Sequence, residues 1–311
     1  MFLVAAAAIA ASSVSCEIIG WDKLAAKEDH APQGESHMDA TAATATAGDA
    51  EGASEDRPAR KTPKEPTTSS ATRPAAGKRR VLVQKRVLFI GNSYTSCNDM
   101  PLMIQKLAEA AHEQERLSFK AFTVGGCTLS RHWLRTGARL EVRKGRWDHV
   151  VLQEQSTTPI AQRETMHGYA RLFDTEVLMA GAKTVFFLTW ARRHRPHDQE
   201  ALTDAYVSIA KELKAQVAPV GLAWQMALEQ QPGIKLHDSD KSHPTRTGSY
   251  LAACVFYTTL YGRTPLGLPG RLLTTTKSGQ MKAIVNLRPQ EAMFCQQIAW
   301  DAVRRIKARM R

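Results

Sequence analysis

The sequence predicts an α/β fold: a three-layer α/β/α domain built on a parallel sheet of about five strands. Two observations predict it. Short apolar runs alternate with amphipathic helical patterns from about residue 81 to the end. The first of those apolar runs ends in Gly-Asn-Ser, residues common in turns, just before a helical pattern begins.

The candidate strands cover residues 87–90, 119–124, 149–152, 184–189 and 217–223. Helical patterns lie between them. Met103, Leu107 and Ala110 share one face, as do Met166, Tyr169, Ala170, Phe173 and Val177. Leu202, Tyr206, Ile209 and Leu213 form a third such face, with Asp198 placed to cap that helix. Two late helices are predicted over residues 245–260 and 289–307. One domain over residues 81–311 accounts for all of these elements, and no internal repeat is visible.

The chain before residue 81 has a different character. Residues 1–21 read as a signal peptide or lipoprotein signal: Phe2 to Ala11 is apolar and Ala-rich, and Ser12, Ser13 and Ser15 follow as at a cleavage site. The apolar run is too short to span a bilayer comfortably, and its start lacks Lys or Arg. Cys16 sits where a bacterial lipoprotein would carry its acylated cysteine, although Ser13 fits that pattern poorly. Residues 22–80 are rich in Ala, Thr, Ser, Gly, Pro, Asp, Glu and Lys, with almost no large apolar residue after Leu24. Such a composition cannot offset its chain entropy by burial, so a disordered linker is expected there. The expectation is an exported protein: periplasmic, membrane-anchored or secreted.

Across the 311 residues, 43% are hydrophobic, enough for a sizeable core, and the net charge is +12. That charge is scattered, with small clusters at residues 78–80, 192–195 and 304–311. Without zinc-finger spacing or an aromatic RNP-like strand, it reads as solvated faces with some affinity for anionic envelope polymers. No nucleic-acid partner is expected.

The chemistry is carried by four segments. Val87 to Ile90 form an apolar strand that ends in Gly91-Asn92-Ser93, and a helix begins soon after. This puts the Ser93 hydroxyl at the carboxyl end of a sheet, where open α/β sheets bind ligands. A serine nucleophile needs a histidine to take its proton and an acid to orient that imidazole. The polar loop 238–244 supplies both in Asp240 and His243, three residues apart. An oxyanion needs further donors. Gly125-Gly126 closes the second strand and Gln153-Glu154-Gln155-Ser156 the third. Each piece taken alone is an ordinary turn or capping loop. All four lie at the ends of elements on one edge of the predicted sheet.

In order, these pieces resemble the blocks of the SGNH/GDSL hydrolase superfamily. They are most similar to an SGNH-like family marked by G-N-S-[YF]-T, G-G-x-[TS]-L, V-L-Q-x-Q-S and H-P-[ST]-x-x-G-S-Y-L-A-A. Here these read as residues 91–95, 125–129, 151–156 and 243–253. The resemblance implies a flavodoxin-like fold, with Ser93 as nucleophile, His243 as general base and acid, and Asp240 as its acid partner. It implies oxyanion donors at the backbone of Ser93, at Gly126 (or Gly125), and at Gln155. Two departures stand out. Asn92 replaces the usual Asp before the serine, and Gln153 to Ser156 replace G-x-N-D, so that Gln153 is an alternative donor to Gln155. The chemistry implied needs neither metal nor cofactor.

Trp190-Ala191-Arg192-Arg193 closes the fourth strand on the same edge. Trp190 is a candidate platform for a sugar and Arg192 a candidate contact for an acidic group. The expected activity is that of a serine esterase removing O-acyl groups, acetyl first, from a carbohydrate or other small-molecule or polysaccharide ester. The alternatives are an acyltransferase acting on envelope polysaccharide and a non-catalytic polysaccharide-binding module. His194, His197 and Asp198 have metal-like spacing, but Pro196 intervenes and no further ligand follows. Cys97 and Cys127 follow two of the blocks and are candidates either for pairing in an oxidising compartment or for free thiols.

Overall fold

The computed structural model of the chain describes residues 83–276 and 278–311. The expected signal segment over residues 1–21, with Cys16, and the expected linker over residues 22–80 lie outside the described residues.

The first strand, β1 (Val83–Gly91), runs into the short helix α1 (Ser93–Ser96). A 3-10 turn over Cys97–Asp99 and α2 (Met100–Ala110) lead to β2 (Glu115–Thr123). Two short helices, α3 (Leu129–Arg135) and α4 (Ala138–Arg143), precede β3 (His149–Leu152). Helices α5 (Thr158–Ala161) and α6 (Arg163–Met179) precede β4 (Lys183–Phe187). Helix α7 (Asp198–Glu212) leads to β5 (Gln216–Ala218). The chain closes with α8 (Val220–Gln230), α9 (Arg246–Tyr261), β6 (Arg271–Thr275), β7 (Met281–Asn286) and α10 (Pro289–Met310).

Five strands pair in parallel in the order β2-β1-β3-β4-β5, the flavodoxin-like arrangement. Alternation along each strand builds two cores. Val87 and Phe89 of β1, Val151 of β3 and Phe187 of β4 face one core, shared with α2, α8, α9 and α10. Leu88, Ile90, Val150, Leu152 and Phe186 face the other, shared with α6 and α7. Burial on both faces is why these strands read as continuous apolar runs.

Strand order reverses between β1 and β3, because the chain first steps out to β2 and then crosses to the other side. The crevice at the carboxyl ends of those two strands is where such sheets bind ligands. The Gly91-Asn92-Ser93 turn leaves β1 there, and Gln153 to Ser156 leave β3 there.

The structure revises two expectations and adds a pair of strands. The fifth strand, expected over residues 217–223, ends at Ala218, and α8 starts at Val220. Pro219 has no N–H to give a ladder, and beyond it Val220, Ala223, Trp224 and Ala227 are buried at helical spacing. Asp198 is the first residue of α7 rather than its cap; its carboxylate pairs with Arg195 instead. The antiparallel pair β6 and β7 was not foreseen. Its residues alternate weakly, with burial confined to Leu272, Ile284 and Val285. Among the described residues no helix is long and apolar enough to cross a membrane.

Candidate active site

Gly91 ends β1 because nothing larger fits. A Cβ there would collide with Gln153 Oε1 and come within 2.8 Å of Thr95 Oγ1. Asn92 follows with extended backbone and caps α1: its Oδ1 accepts from the Tyr94 N–H at 3.1 Å. Its carbonyl takes the N–H groups of Thr95 and Ser96. None of these contacts uses the N–H of Ser93, which stands at the first helical position.

From there Ser93 Oγ reaches His243 Nε2 at 2.7 Å across 150 residues of sequence. His243 Nδ1 in turn bonds Asp240 Oδ2. Asp240 Oδ1 accepts from the backbone N–H groups of Ser242 and His243, both at 2.9 Å. With a carboxylate on Nδ1, that nitrogen carries the imidazole proton and Nε2 is left to accept from the serine hydroxyl. The bond to His243 holds the Asp240 carboxyl down at about 2, so it is ionised throughout the neutral range.

The loop carrying this pair is braced on several sides. An isolated bridge pairs His237 with Pro244, and the Asp238 N–H donates to the His243 carbonyl at 2.8 Å. Trp190 Nε1 donates to the Ser242 carbonyl at 2.9 Å, and the Tyr94 hydroxyl meets Ser242 Oγ at 2.6 Å. Burial pushes the Tyr94 phenol up, which keeps it neutral beside the relay. Rings stack behind it: Tyr94 on Trp190 at 4.4 Å, Trp190 on Trp224 at 4.0 Å, with His237 edge-on to Trp224. Such contacts contribute about 0.5–1.5 kcal/mol each beyond area burial.

This stack corrects the expectation for Trp190. Its side chain is 1% exposed, with one face on Tyr94 and the other on Trp224, so no face is left for a sugar. It positions the His243 loop instead. A cavity lined by Trp190, Arg192, Arg193, Trp224 and His237 lies at the far end of the stack, and neither Ser93 nor His243 lines it. Arg192 Nη2 donates to Ser156 Oγ at 3.1 Å, which places Arg192 beside the segment that leaves β3.

The two amides after β3 separate clearly. Gln153 is fully buried and every polar atom is engaged. Its Oε1 accepts from the Asn92 N–H at 2.8 Å and from Thr95 Oγ1 at 2.9 Å. Its Nε2 donates to Asn92 Oδ1 at 2.9 Å and to the Glu154 carbonyl at 2.7 Å. Gln155 has its oxygen tied, accepting from Thr157 N–H at 2.7 Å and Thr157 Oγ1 at 2.9 Å. Its amide nitrogen has no protein acceptor among the described residues. Gln153 is therefore a brace, and Gln155 is the amide with donors to spare.

Asn92 Nδ2 donates to the Cys127 carbonyl at 3.1 Å, linking the first block to the second. A carboxylate could not make that bond, so Asn92 does here what an Asp in its place could not. Just before Cys127, Gly126 takes φ +62°, a left-handed conformation that glycine adopts without strain. Among the described residues the N–H groups of Gly125 and Gly126 find no protein acceptor. Cys97 and Cys127 are both free thiols. Among the described residues no group of three or more His, Cys, Asp or Glu could hold a metal ion, and His194 and His197 belong to no such cluster.

Sequence reasoning missed Tyr94 and Ser242 as braces and the burial of Glu154. The available signal was position: each directly neighbours a residue of the relay or of an oxyanion segment.

No protein-family model matches the chain, and no curated protein matches it. Solved structures do. A DUF4886 family protein from Bacteroides uniformis is 18% identical, with a TM-score of 0.54 over 71% of this chain and 95% of that one. A candidate SGNH hydrolase from Slackia heliotrinireducens is 27% identical, with a TM-score of 0.49 over 57% of this chain and 99% of that one. A variant of an acetyl-xylooligosaccharide esterase from Geobacillus Stearmophilus is 13% identical, with a TM-score of 0.48 over 58% and 95%. The likeness to the Bacteroides uniformis protein is one of fold, which this chain builds on its five-stranded parallel sheet.

Proposed function

We propose that the chain is a serine esterase of SGNH type that removes O-acyl groups, acetyl first, from a carbohydrate or another small ester. The observation that carries this reading is the relay itself: Ser93 Oγ 2.7 Å from His243 Nε2, with Asp240 on the opposite ring nitrogen. A hydroxyl, a base and an orienting acid in that order activate a nucleophile.

In this mechanism Ser93 Oγ attacks the ester carbonyl while its proton passes to His243 Nε2. Asp240 stabilises the imidazolium through Nδ1–H. The negative oxygen of the tetrahedral intermediate is received by the N–H groups of Ser93 and Gly126 and by the Gln155 amide. His243 then protonates the leaving alcohol oxygen as the C–O bond breaks, leaving an acyl ester on Ser93. Water, deprotonated by His243, repeats the sequence and frees the acid. Arg192, held against Ser156, supports a substrate that carries an acidic group near the ester. With the signal expected over residues 1–21, an exported enzyme acting on an envelope or extracellular polysaccharide fits this reading best.

The test is hydrolysis of 4-nitrophenyl acetate by the wild type and by Ser93→Ala. Wild-type turnover that falls by roughly 10⁴-fold or more in the variant supports the esterase. Equal rates in the two proteins would leave a binding module.

A further inference from the structure

Glu154 lies between the two segments that carry the proposed oxyanion donors, and the mechanism above gives it no task. It is 1% exposed. Both of its carboxyl oxygens lie 3.2 Å from the Leu129 N–H, at the end of the glycine segment. Oε1 also accepts from the Gln155 N–H at 2.6 Å. One buried carboxyl therefore joins the backbone that follows β2 to the backbone that follows β3. Neither strand touches the other, since β1 lies between them.

The groups around it offer no positive charge to balance an ionised carboxylate. From α7, Tyr206 accepts the Glu154 N–H at 3.2 Å, and burial pushes its phenol up, so it is neutral. From the loop before α3, Cys127 also faces it, its thiol pushed up by burial. On α3, burial lowers the pKa of His132, whose Nε2 donates to the Gly91 carbonyl, and the charge of Arg131 acts on Cys127. Burial without a cation raises the Glu154 carboxyl to about 7, against the pull of its two N–H donors. Such a group is half ionised near neutrality.

We propose that Glu154 is a positioning residue: a buried carboxyl clamp that holds the Gly125–Leu129 segment and Gln155 in one register, so that their donors converge on the oxyanion. The proposal rests on the esterase reading for its catalytic consequence but not for the clamp itself. Ionised, the carboxylate accepts both N–H groups as charge-assisted bonds, which are shorter and stronger than neutral ones. Protonated, it holds them less tightly and the donors lose register.

The test uses Glu154→Gln, which keeps shape and one acceptor oxygen while removing the charge and the titration. Two readouts are taken on the full chain. The backbone amide resonances of Gly126 and Gln155 are followed by NMR from pH 5 to 9, and kcat and KM for 4-nitrophenyl acetate are measured over the same range. The expected result is amide shifts with a midpoint near 7 in the wild type and none in E154Q. E154Q should lose roughly tenfold in kcat at pH 8, a 1.4 kcal/mol effect, with KM unchanged and the gap closing below pH 6. Amides that do not titrate, or that titrate alike in both proteins, overturn the clamp. Amides that titrate while kcat keeps the same pH profile in E154Q overturn its link to catalysis. A wild type with no hydrolysis defeats the esterase reading, while the amide titration still decides the clamp.

Discussion

The two halves of the proposed site use carboxyl groups in opposite ways. Asp240, on the proton-relay side, has a side chain 46% exposed and sits on a loop. Glu154, on the oxyanion side, is buried at the carboxyl end of β3. The same functional group is held down at about 2 in one place and raised to about 7 in the other. The causes differ. Asp240 faces an imidazole and two N–H groups at the solvent-exposed surface, whereas Glu154 faces two N–H groups and is closed off from solvent. The relay side must let a proton and an alcohol pass, so it stays open and relies on a permanently charged acid. The oxyanion side must be preorganised, so it is packed and tolerates a carboxyl near its point of ionisation.

The comparison breaks most visibly at Asp240. Asp240→Asn keeps an oxygen for the Ser242 and His243 N–H groups but turns an N–H toward His243 Nδ1. The imidazole then carries its proton on Nε2 and cannot accept from Ser93. The expected loss in kcat is about 10³- to 10⁴-fold with little change in KM, measured by steady-state hydrolysis. Retained activity in D240N would mean that the open side does not depend on its acid.

A smaller effect separates the two amides of the packed side. Gln155→Ala should lower kcat by about 10²- to 10³-fold and leave the melting temperature close to that of the wild type. Gln153→Ala should do the reverse first: it strips four hydrogen-bonded partners in a buried place and should lower stability by about 1–3 kcal/mol for each group left unsatisfied. Thermal unfolding and kinetics on the same pair of variants check both statements. Exchanged phenotypes would return the donor role to Gln153.

Much of this was legible in the sequence, for identifiable reasons. The strands Val87 to Ile90 and His149 to Leu152 are buried on both faces, so their apolar runs carry the signal alone. Ser93, His243 and Asp240 were found because a relay demands particular residue types near strand or loop ends. Trp190 was misread because stacking on a sugar and stacking on Tyr94 and Trp224 ask for the same side chain, and only burial tells them apart. Gln153 and Gln155 are alternatives in the sequence because two residues apart they would share one face of an extended strand; β3 ends at Leu152, and the turn beyond it buries Gln153 while leaving Gln155 half-exposed, a path that composition does not encode. Glu154 was invisible for a related reason: a charged residue in a polar run reads as solvated, and here the fold closes over it.

That closure has a thermodynamic consequence of its own, the smallest effect and the one most particular to the packed side. An ordinary glutamate carboxyl ionises at 4.5, and burial raises Glu154 to about 7. A carboxyl whose value rises on folding adds stability that is fully present below its unfolded value and is lost as pH rises through the folded one. For Glu154 the loss therefore runs from about pH 4.5 to about pH 7 and amounts to about 3 kcal/mol at most. In E154Q that component is absent. Urea unfolding of the two proteins should give a difference in stability that moves in favour of Gln by roughly 1–3 kcal/mol between pH 4.5 and pH 8. Asp240 cannot produce this slope, since its value is lowered on folding: its stabilisation is present above about pH 4 and is lost only as pH falls toward 2. A clamp that weakens the fold at the pH where it is charged is what a site selected for geometry rather than stability would keep. A stability difference that stays flat with pH would place Glu154 on the same footing as an exposed carboxylate and remove the contrast between the two sides.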